Sequence, residues 1–360
     1  MQYLTNVWYV AALAGELKPG QLFHRWIVGE PVVMFRKPTG VAFALYDRCP
    51  HRFAPLHLGK LKGDHIECGY HGLRFDCAGV CVHNPHGDGR IPRTAAVRSY
   101  PLIEKHGLLW VWMGSADRAD PTLIPDYSFV THGHANALSL GYLMAAANYQ
   151  LVTDNIMDLS HADYLHSPIL NSLGAITHLI PKVIDDGSSV TIGWDYSVER
   201  AQGLFDSFLP APGQPAHQTL DVTWRAPALM HLIARAWQGS DQSNALEFDT
   251  LHLMTPETDT TTHYFFVGRR NFREDSSELQ QAITDGVMAA FANEDKPMLN
   301  AVQASMDTTD LLALKPVFLS CDSGALRSRR MLQNMLAVEQ ESAGAMPSPS
   351  CVSSDVRNEA

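Results

Sequence analysis

Cys49-Pro50-His51-Arg52-Phe53-Ala54-Pro55 and Cys68-Gly69-Tyr70-His71-Gly72-Leu73 are the stretches on which the reading of the chain turns. Each offers one thiol and one imidazole, as C-x-H in the first and C-x-x-H in the second, with residues 52–67 between the two pairs. Mixed Cys and His clusters in a reducing compartment point to metal rather than to a disulfide. Zinc accepts two Cys and two His, but its sites tend to group like ligands, as C-x2-C with H-x3-5-H. A [2Fe–2S] cluster that keeps two thiolates on one iron and two imidazoles on the other takes one ligand of each kind from each loop. The mixed loops point to such a cluster, and the neutral imidazoles raise its reduction potential by removing negative charge. Pro50 and Gly69 keep the loops tight, and Gly72 lets main chain approach closely. The loops 49–55 and 68–76 are placed to aim backbone N–H groups at the sulfides, which tunes such clusters.

Around these loops the chain reads as short β segments. Val32–Arg36, Val41–Tyr46 and Leu108–Trp112 are rich in strand formers, and Lys37-Pro38-Thr39-Gly40 reads as a hairpin turn. The Gly-, His- and Pro-rich stretch 49–93 leaves no room for long regular structure, so a small all-β domain carrying metal loops is expected over residues 1–126. Cys77 and Cys81 lack partners at matched spacing and read as buried thiols; His57, His65, His83 and His86 read as loop or surface residues. The polar, proline-punctuated run Asp117–Pro125 marks the boundary. Beyond it 148–166 reads as helix, 178–200, 217–238 and 245–269 as strands, and 276–306 as the strongest helix. That order predicts a second, α+β domain over 127–341. The small, polar, proline-rich residues 342–360 read as a disordered tail.

Composition sets outer limits. Hydrophobic residues at 46% and charged ones at 18% are ordinary for a globular chain, and 360 residues can bury a core without disulfides. The net charge of −11, from 38 acidic and 27 basic residues, argues against nucleic acid and against anionic membrane surfaces. No segment approaches the roughly 18 consecutive apolar residues of a membrane-spanning helix. Met1–Asn6 lacks the basic start and apolar run of a signal peptide, so the expected location is the cytoplasm.

A second constellation lies in Asp154-Asn155-Ile156-Met157-Asp158-Leu159-Ser160-His161-Ala162-Asp163-Tyr164-Leu165-His166. On a straight helix His161 and His166 would point about 140° apart. Binding one ion with both therefore requires a break or π-bulge between them. Two histidines invite a carboxylate, completing a facial triad that leaves positions open on Fe(II). In 276–306 an apolar stripe runs through Ile283, Val287, Phe291, Met298 and Val302, and Glu294 and Asp295 both fall near its edges. Periodicity does not choose between them. Taken alone, two histidines five apart on a helix serve structure as readily as metal.

The chain resembles the oxygenase components of Rieske non-haem iron oxygenases over nearly its whole length, to about residue 340. Within them it is similar to vanillate and dicamba O-demethylases, with toluenesulfonate methyl-hydroxylating enzymes nearly as close. The stretches that carry this are Asn6–Ala12, Cys49–Arg52, Tyr70–Leu73, Asp154–Leu159 and Thr255-Pro256-Glu257, with Asn84–Gly87 nearer the dicamba enzyme. The resemblance implies a [2Fe–2S] Rieske cluster on Cys49, His51, Cys68 and His71, and Fe(II) on His161, His166 and Asp295. Asn155 would lie beside the iron, and Asp158 would bridge an iron histidine to a cluster histidine of the neighbouring subunit. A helix-grip second domain with a curved antiparallel sheet, and a head-to-tail homotrimer, follow from the same likeness.

The expected activity is that of a Rieske monooxygenase, inserting one oxygen atom from O2 into a C–H bond of a small aromatic substrate. Oxidative O-demethylation of an aryl methyl ether, as of vanillate or dicamba, is the main expectation; methyl or ring hydroxylation, or dioxygenation, of another aromatic acid such as a toluenesulfonate is the alternative. No G-x-G-x-x-G fingerprint opens a strand–helix unit, so electrons from NAD(P)H are expected to arrive through a separate flavin/ferredoxin-type reductase. His252, just before Thr255-Pro256-Glu257, is a candidate to hydrogen-bond a substrate carboxylate or phenol, with a plain core or surface histidine as the alternative; Arg225 and Arg235 have no assigned part. A plain electron-transfer Rieske protein would not need 230 further residues (about that many follow the first domain). A zinc-stabilised binding protein would be colourless.

Overall fold

The computed structural model describes residues 3–166 and 170–344. Eleven strands come first, in three antiparallel sheets, and the sequence reading of the N-terminal part as all-β is what is found. One sheet joins β1 (Trp8–Leu13), β11 (Leu108–Trp112) and β10 (Leu102–Lys105). A second orders β2 (Leu22–Ile27), β3 (Glu30–Arg36), β4 (Ala42–Tyr46) and β9 (Ser99–Tyr100). The third, β5 (Lys60–Lys62), β6 (His65–Glu67), β7 (Arg74–Phe75) and β8 (Cys81–His83), carries the metal loops. The turn between β3 and β4 closes through Lys37 N–H to Val41 O and Gly40 N–H to Lys37 O.

The rest is a helix-grip arrangement. Seven antiparallel strands run in the order β12 (Leu138–Ala145), β18 (Thr261–Arg270), β17 (Leu246–Thr258), β16 (Leu229–Trp237), β15 (Ala216–Arg225), β14 (Ser189–Val198) and β13 (Lys182–Asp185). Each of the three stretches read as strand turns out to hold a hairpin or its two neighbouring strands. In β15 buried and half-buried residues alternate strictly over ten positions, as in a strand with one covered face. In β17 and β18 burial is continuous for seven residues, because both faces are covered. On one face lie α1 (Tyr149–Met157), α2 (Ala162–Leu165), α4 (Ser277–Ala290), α5 (Lys296–Ser305) and α6 (Ser323–Gly344); the short α3 (Gly203–Asp206) sits between β14 and β15.

The other face packs on the N-terminal sheets. Trp8, Trp110 and Trp112 share one apolar cluster with Leu251, Leu253, Phe265 and Val267 of the large sheet. Polar bonds sew the same seam: Thr255 Oγ1 donates to Val10 O, Val28 N–H to Pro256 O and Gly29 N–H to Glu257 O. Two of the stretches that carried the family likeness, Asn6–Ala12 and Thr255–Glu257, thus meet at this junction.

Two expectations need correction. The helix read over 148–166 does break, but at Asp158 (φ −130°, ψ 91°) and not between the histidines. The reason is local: the Asp158 carboxylate accepts from Ser160 N–H and starts a new turn, which runs unbroken through Leu165. His166 then leaves the helix in an extended conformation (φ −93°, ψ 151°). A π turn does occur, but on the partner helix, at Phe291–Asp295 between α4 and α5. Of the expected tail, residues 342–344 close α6, and 345–360 lie outside the described residues. Among the described residues no helix is long and apolar enough to cross a membrane.

Candidate functional site

The two metal loops are closed by the same pair of main-chain bonds. Cys49 N–H donates to Ala54 O and Phe53 N–H to Cys49 O; Cys68 N–H donates to Leu73 O and Gly72 N–H to Cys68 O. The residue four after each cysteine adopts a left-handed conformation, Gly72 at φ 73° and Phe53 at φ 59°. Glycine takes that conformation freely, whereas Phe53 is held in it by the loop. Cys49 and Cys68 are buried at 2% exposure, while His51 is exposed and His71 half-buried. The two imidazoles lie 4.5 Å apart, ring centre to ring centre. Burial pushes the Cys49 thiol up to about 11, with the Cys68 thiol beside it adding to the shift and the N–H groups of His51 and Arg52 opposing it. Two thiols side by side and two imidazoles side by side fit a cluster with a sulfur end inside and a histidine end at the surface. His86 Nε2 hydrogen-bonds His71 O at 2.8 Å, so this loop histidine braces a candidate ligand.

His24, His57 and Asp47 form a further group beside the first loop. The Asp47 carboxylate accepts the His57 main-chain N–H and meets Nδ1 of both histidines, whose rings stack at 4.1 Å. Burial works to raise the Asp47 pKa; the hydrogen bonds from His24 and His57 outweigh it and hold it below the usual carboxylate range. Cys81 is buried, as read from the sequence, whereas Cys77 is only half-buried.

In the large domain three ligand atoms converge. His161 Nε2 lies 3.3 Å from Asp295 Oδ1, and His166 Nε2 lies 3.5 Å from Asp295 Oδ2. Ligands about 2.1 Å from one ion at roughly right angles lie about 3 Å apart, so these spacings suit a shared ion. Each ring is turned by its other nitrogen. His161 Nδ1 donates to the Asp158 main-chain oxygen, and His166 Nδ1 donates to Glu294 Oε2 at 2.7 Å. Both Nε2 lone pairs are thereby directed at the same point. Asp295 is 4% exposed, and a carboxylate so buried calls for a cation. Asn155 Nδ2 donates to Asp295 Oδ1 at 3.0 Å, while its own Oδ1 is buried with no protein partner. The donor set, the buried charge and the orphaned oxygen all fit Fe(II).

The π turn is what brings the acids into place. Its extra residue widens the helix so that Asp295 points inward while the preceding Glu294 reaches His166 from behind. Pro297, next to it, has no N–H to give to a regular helical ladder. Periodicity left Glu294 and Asp295 as alternatives and the resemblance pointed to Asp295; the structure sets Asp295 against both Nε2 atoms and Glu294 behind His166. Asp154, three before Met157, points the opposite way and pairs with Arg329 of α6, at 2.9 Å from both carboxylate oxygens to Nε.

Asp158 stands apart from this pocket, half-buried. Its Oδ1 accepts from Ser160 N–H and Oγ, and Cys321 lies against the carboxylate. His252 does face the pocket: it lines a cavity of about 120 Å³ that also holds His161, His166 and Asp295. Its walls include Leu220, Leu232 and Ala234 from the sheet and Val287 and Phe291 from the helices. Tyr264 and Thr250, which the sequence reading did not single out, hydrogen-bond the two nitrogens of His252. Arg235 pairs with Glu247 and is not among the pocket's lining residues; nor is Arg225.

Residues 7–101 match the family model of the Rieske [2Fe–2S] domain, and residues 145–338 match that of the vanillate O-demethylase oxygenase C-terminal domain. The chain is 36% identical to the oxygenase component of dicamba O-demethylase from Stenotrophomonas maltophilia, across 94% of this chain and 99% of the relative. It is also 36% identical to the oxygenase component of chloroacetanilide N-alkylformylase from Rhizorhabdus wittichii, across 94% and 97%. The crystal structure of dicamba monooxygenase with non-heme iron and dicamba superposes with a TM-score of 0.81 at 32% identity, over 95% of this chain and all of that one.

Proposed function

The chain belongs to the vanillate O-demethylase family of Rieske oxygenases, as an oxygenase component, and on that premise we propose that it removes a methyl group oxidatively from an aryl methyl ether. The observation that carries this is the convergence of His161, His166 and Asp295 beneath an apolar cavity, in a chain that also gathers Cys49, His51, Cys68 and His71. When bound, the cluster supplies electrons and the iron supplies oxygen chemistry at a C–H bond. Insertion of one oxygen atom at the methyl carbon gives a hemiacetal, which collapses to a phenol and formaldehyde.

The chain's own residues do the rest. Cys49 and Cys68, buried, would hold the cluster from inside the protein, and His51 and His71 would hold it from the side open to a partner. Glu294 and the Asp158 main-chain oxygen fix the tautomers of His166 and His161, so that Nε2 of each is the ligand atom. Asn155 steadies Asp295. Leu220, Leu232, Ala234 and Phe291 exclude water and hold the ring.

The exposed histidine end also supports a head-to-tail ring of three, in which His71 of one subunit meets Asp158 of the next. Phe53, Leu58 and Tyr70 are exposed beside the metal loops; Tyr164, Phe318 and Leu319 are exposed on or near the elements carrying Asp158 and Cys321. Two such apolar patches on one chain are what a closed heterologous ring covers. Electrons would come from a separate reductase of flavin/ferredoxin type, in the cytoplasm.

N-dealkylation, by insertion at a carbon next to nitrogen, is the second reading; the chloroacetanilide relative supports it. The test is metal analysis with EPR, then turnover. About three irons per chain (cluster plus triad), a reduced signal with average g near 1.9 (roughly, as for such clusters) and formaldehyde from methoxyarenes are expected. Zinc without colour would overturn the oxygenase reading, and two irons would remove the second site.

A further inference from the structure

His24, Asp47 and His57 have no part in either metal centre described above, and of the three only His57 figured in the sequence reading, as a loop or surface residue. They come from three separate places in the N-terminal domain: His24 from β2, Asp47 from just after β4, and His57 from the turn that follows the first metal loop. The Asp47 side chain is 1% exposed, and among the described residues no lysine or arginine pairs with it. Arg48, next in sequence, lies over the Tyr46 and Phe53 rings instead. A carboxylate so buried calls for a cation. Its Oδ1 is spent on the His57 main-chain N–H at 2.8 Å, which leaves Oδ2 facing Nδ1 of both imidazoles.

Oδ2 and the two Nδ1 atoms lie within 4.8 Å of one another. His24 Nδ1 is the informative one. It is buried and only 2.7 Å from Oδ2, yet the contact is too bent for a well-formed hydrogen bond. Two ligands of one ion stand in that relation: each lone pair points at the ion, and the line between the ligand atoms runs about 35–45° off both (from tetrahedral to right-angled). Ligands about 2.0–2.1 Å from an ion lie roughly 2.9–3.4 Å apart, so admitting one asks this pair to part only slightly. The two rings stack, with centres 4.1 Å apart, and bring both Nδ1 atoms to the same oxygen. Neither Nε2 has a protein partner among the described residues, and the rings are 28% and 27% exposed. The ring proton can therefore sit on Nε2 against water, which frees Nδ1 for a metal. The same open side leaves a fourth position for water.

We propose that His24, Asp47 and His57 hold a divalent cation of the zinc type, separate from both the cluster and the mononuclear iron. Two imidazoles and one carboxylate suit zinc and its first-row neighbours; calcium and magnesium prefer oxygen throughout. The ion would clip β2 and the end of β4 to the turn beyond the first metal loop, and so stiffen the footing of Cys49 and His51. Zinc itself is the probe, dialysed against the protein carrying its cluster and iron, and read by metal analysis and zinc-edge X-ray absorption. About one zinc per chain (three protein donors and a water) is expected beyond the full iron complement, with nitrogen and oxygen neighbours at roughly 2.0 Å and a rise in Tm. His24→Ala and His57→Ala, made separately, should each lose that zinc and that rise while keeping iron and the reduced EPR signal. Both rings reach the surface, so neither change should unfold the chain. An unaltered protein that takes up no zinc overturns the proposal, as do variants that still hold it. Sulfur neighbours at about 2.3 Å would put the zinc on Cys49 and Cys68, and one zinc gained for one iron lost would put it on His161, His166 and Asp295; either result also overturns it.

Discussion

Glu294 and Asp295 are adjacent carboxylates that face opposite nitrogens of the same imidazole, His166. That division gives two different expectations. Asp295→Asn should lose the mononuclear iron, leaving two irons per chain by metal analysis. Glu294→Gln keeps a hydrogen-bonding group but loses the charge behind His166, and should lower iron affinity by about 10- to 100-fold, read from competition with a chelator. Asp158→Ala should leave both metals bound and nearly abolish turnover coupled to electron supply; full activity would remove the proposed bridge. At this scale the sequence was legible wherever chemistry is encoded by residue type and spacing, as with the four Cys and His of the first site. It was not legible for Phe53, whose left-handed conformation no residue preference announces, or for Tyr264 and Thr250. Tyr264 reaches His252 only through the register of β17 against β18, while Thr250 lies two residues along the same strand.

The elements show why helix periodicity stopped short of the second site. A regular helix of 3.6 residues per turn assigns each position a direction, but the π turn inserts a residue at the place where the direction matters. Asp158 likewise resets the phase of its own helix before His161, so extrapolation from α1 points the histidines wrongly. Phe291 opens the π turn and stacks on Tyr264 with ring centres 3.8 Å apart. Phe291→Ala should therefore cost about 3–5 kcal/mol of stability by urea unfolding, and loosen iron as well. On the metal-loop side, Asp47 links β2 to the turn at His57. Its pKa is depressed in the folded chain, so its stabilisation is whole above the unfolded value of about 3.9 and is lost as pH falls through the folded value. Asp47→Asn should flatten that loss: its unfolding free energy should change less between about pH 5 and 3 than that of the unaltered protein.

For the whole molecule, the proposed ring makes activity a property of the assembly. Phe318→Asp with Leu319→Glu, on the exposed side near Cys321, should give monomers by light scattering that still hold about three irons yet turn over at a small fraction of the normal rate. A variant that stays trimeric and active would place the interface elsewhere. The all-β start followed by an α+β part was readable from the order of strand and helix signals. The seam between them was not, because Trp8, Trp110 and Trp112 look like any strand core until Leu251 and Phe265 are seen beyond them. That seam has a mechanical consequence. With a shared apolar cluster and main-chain bonds from Val28 and Gly29 to Pro256 and Glu257, the two domains of one chain are held as a single rigid piece. In the proposed ring the span from the metal loops of one subunit to the histidines of the next would then be set by the contact between subunits, and not by any travel of a domain within a chain.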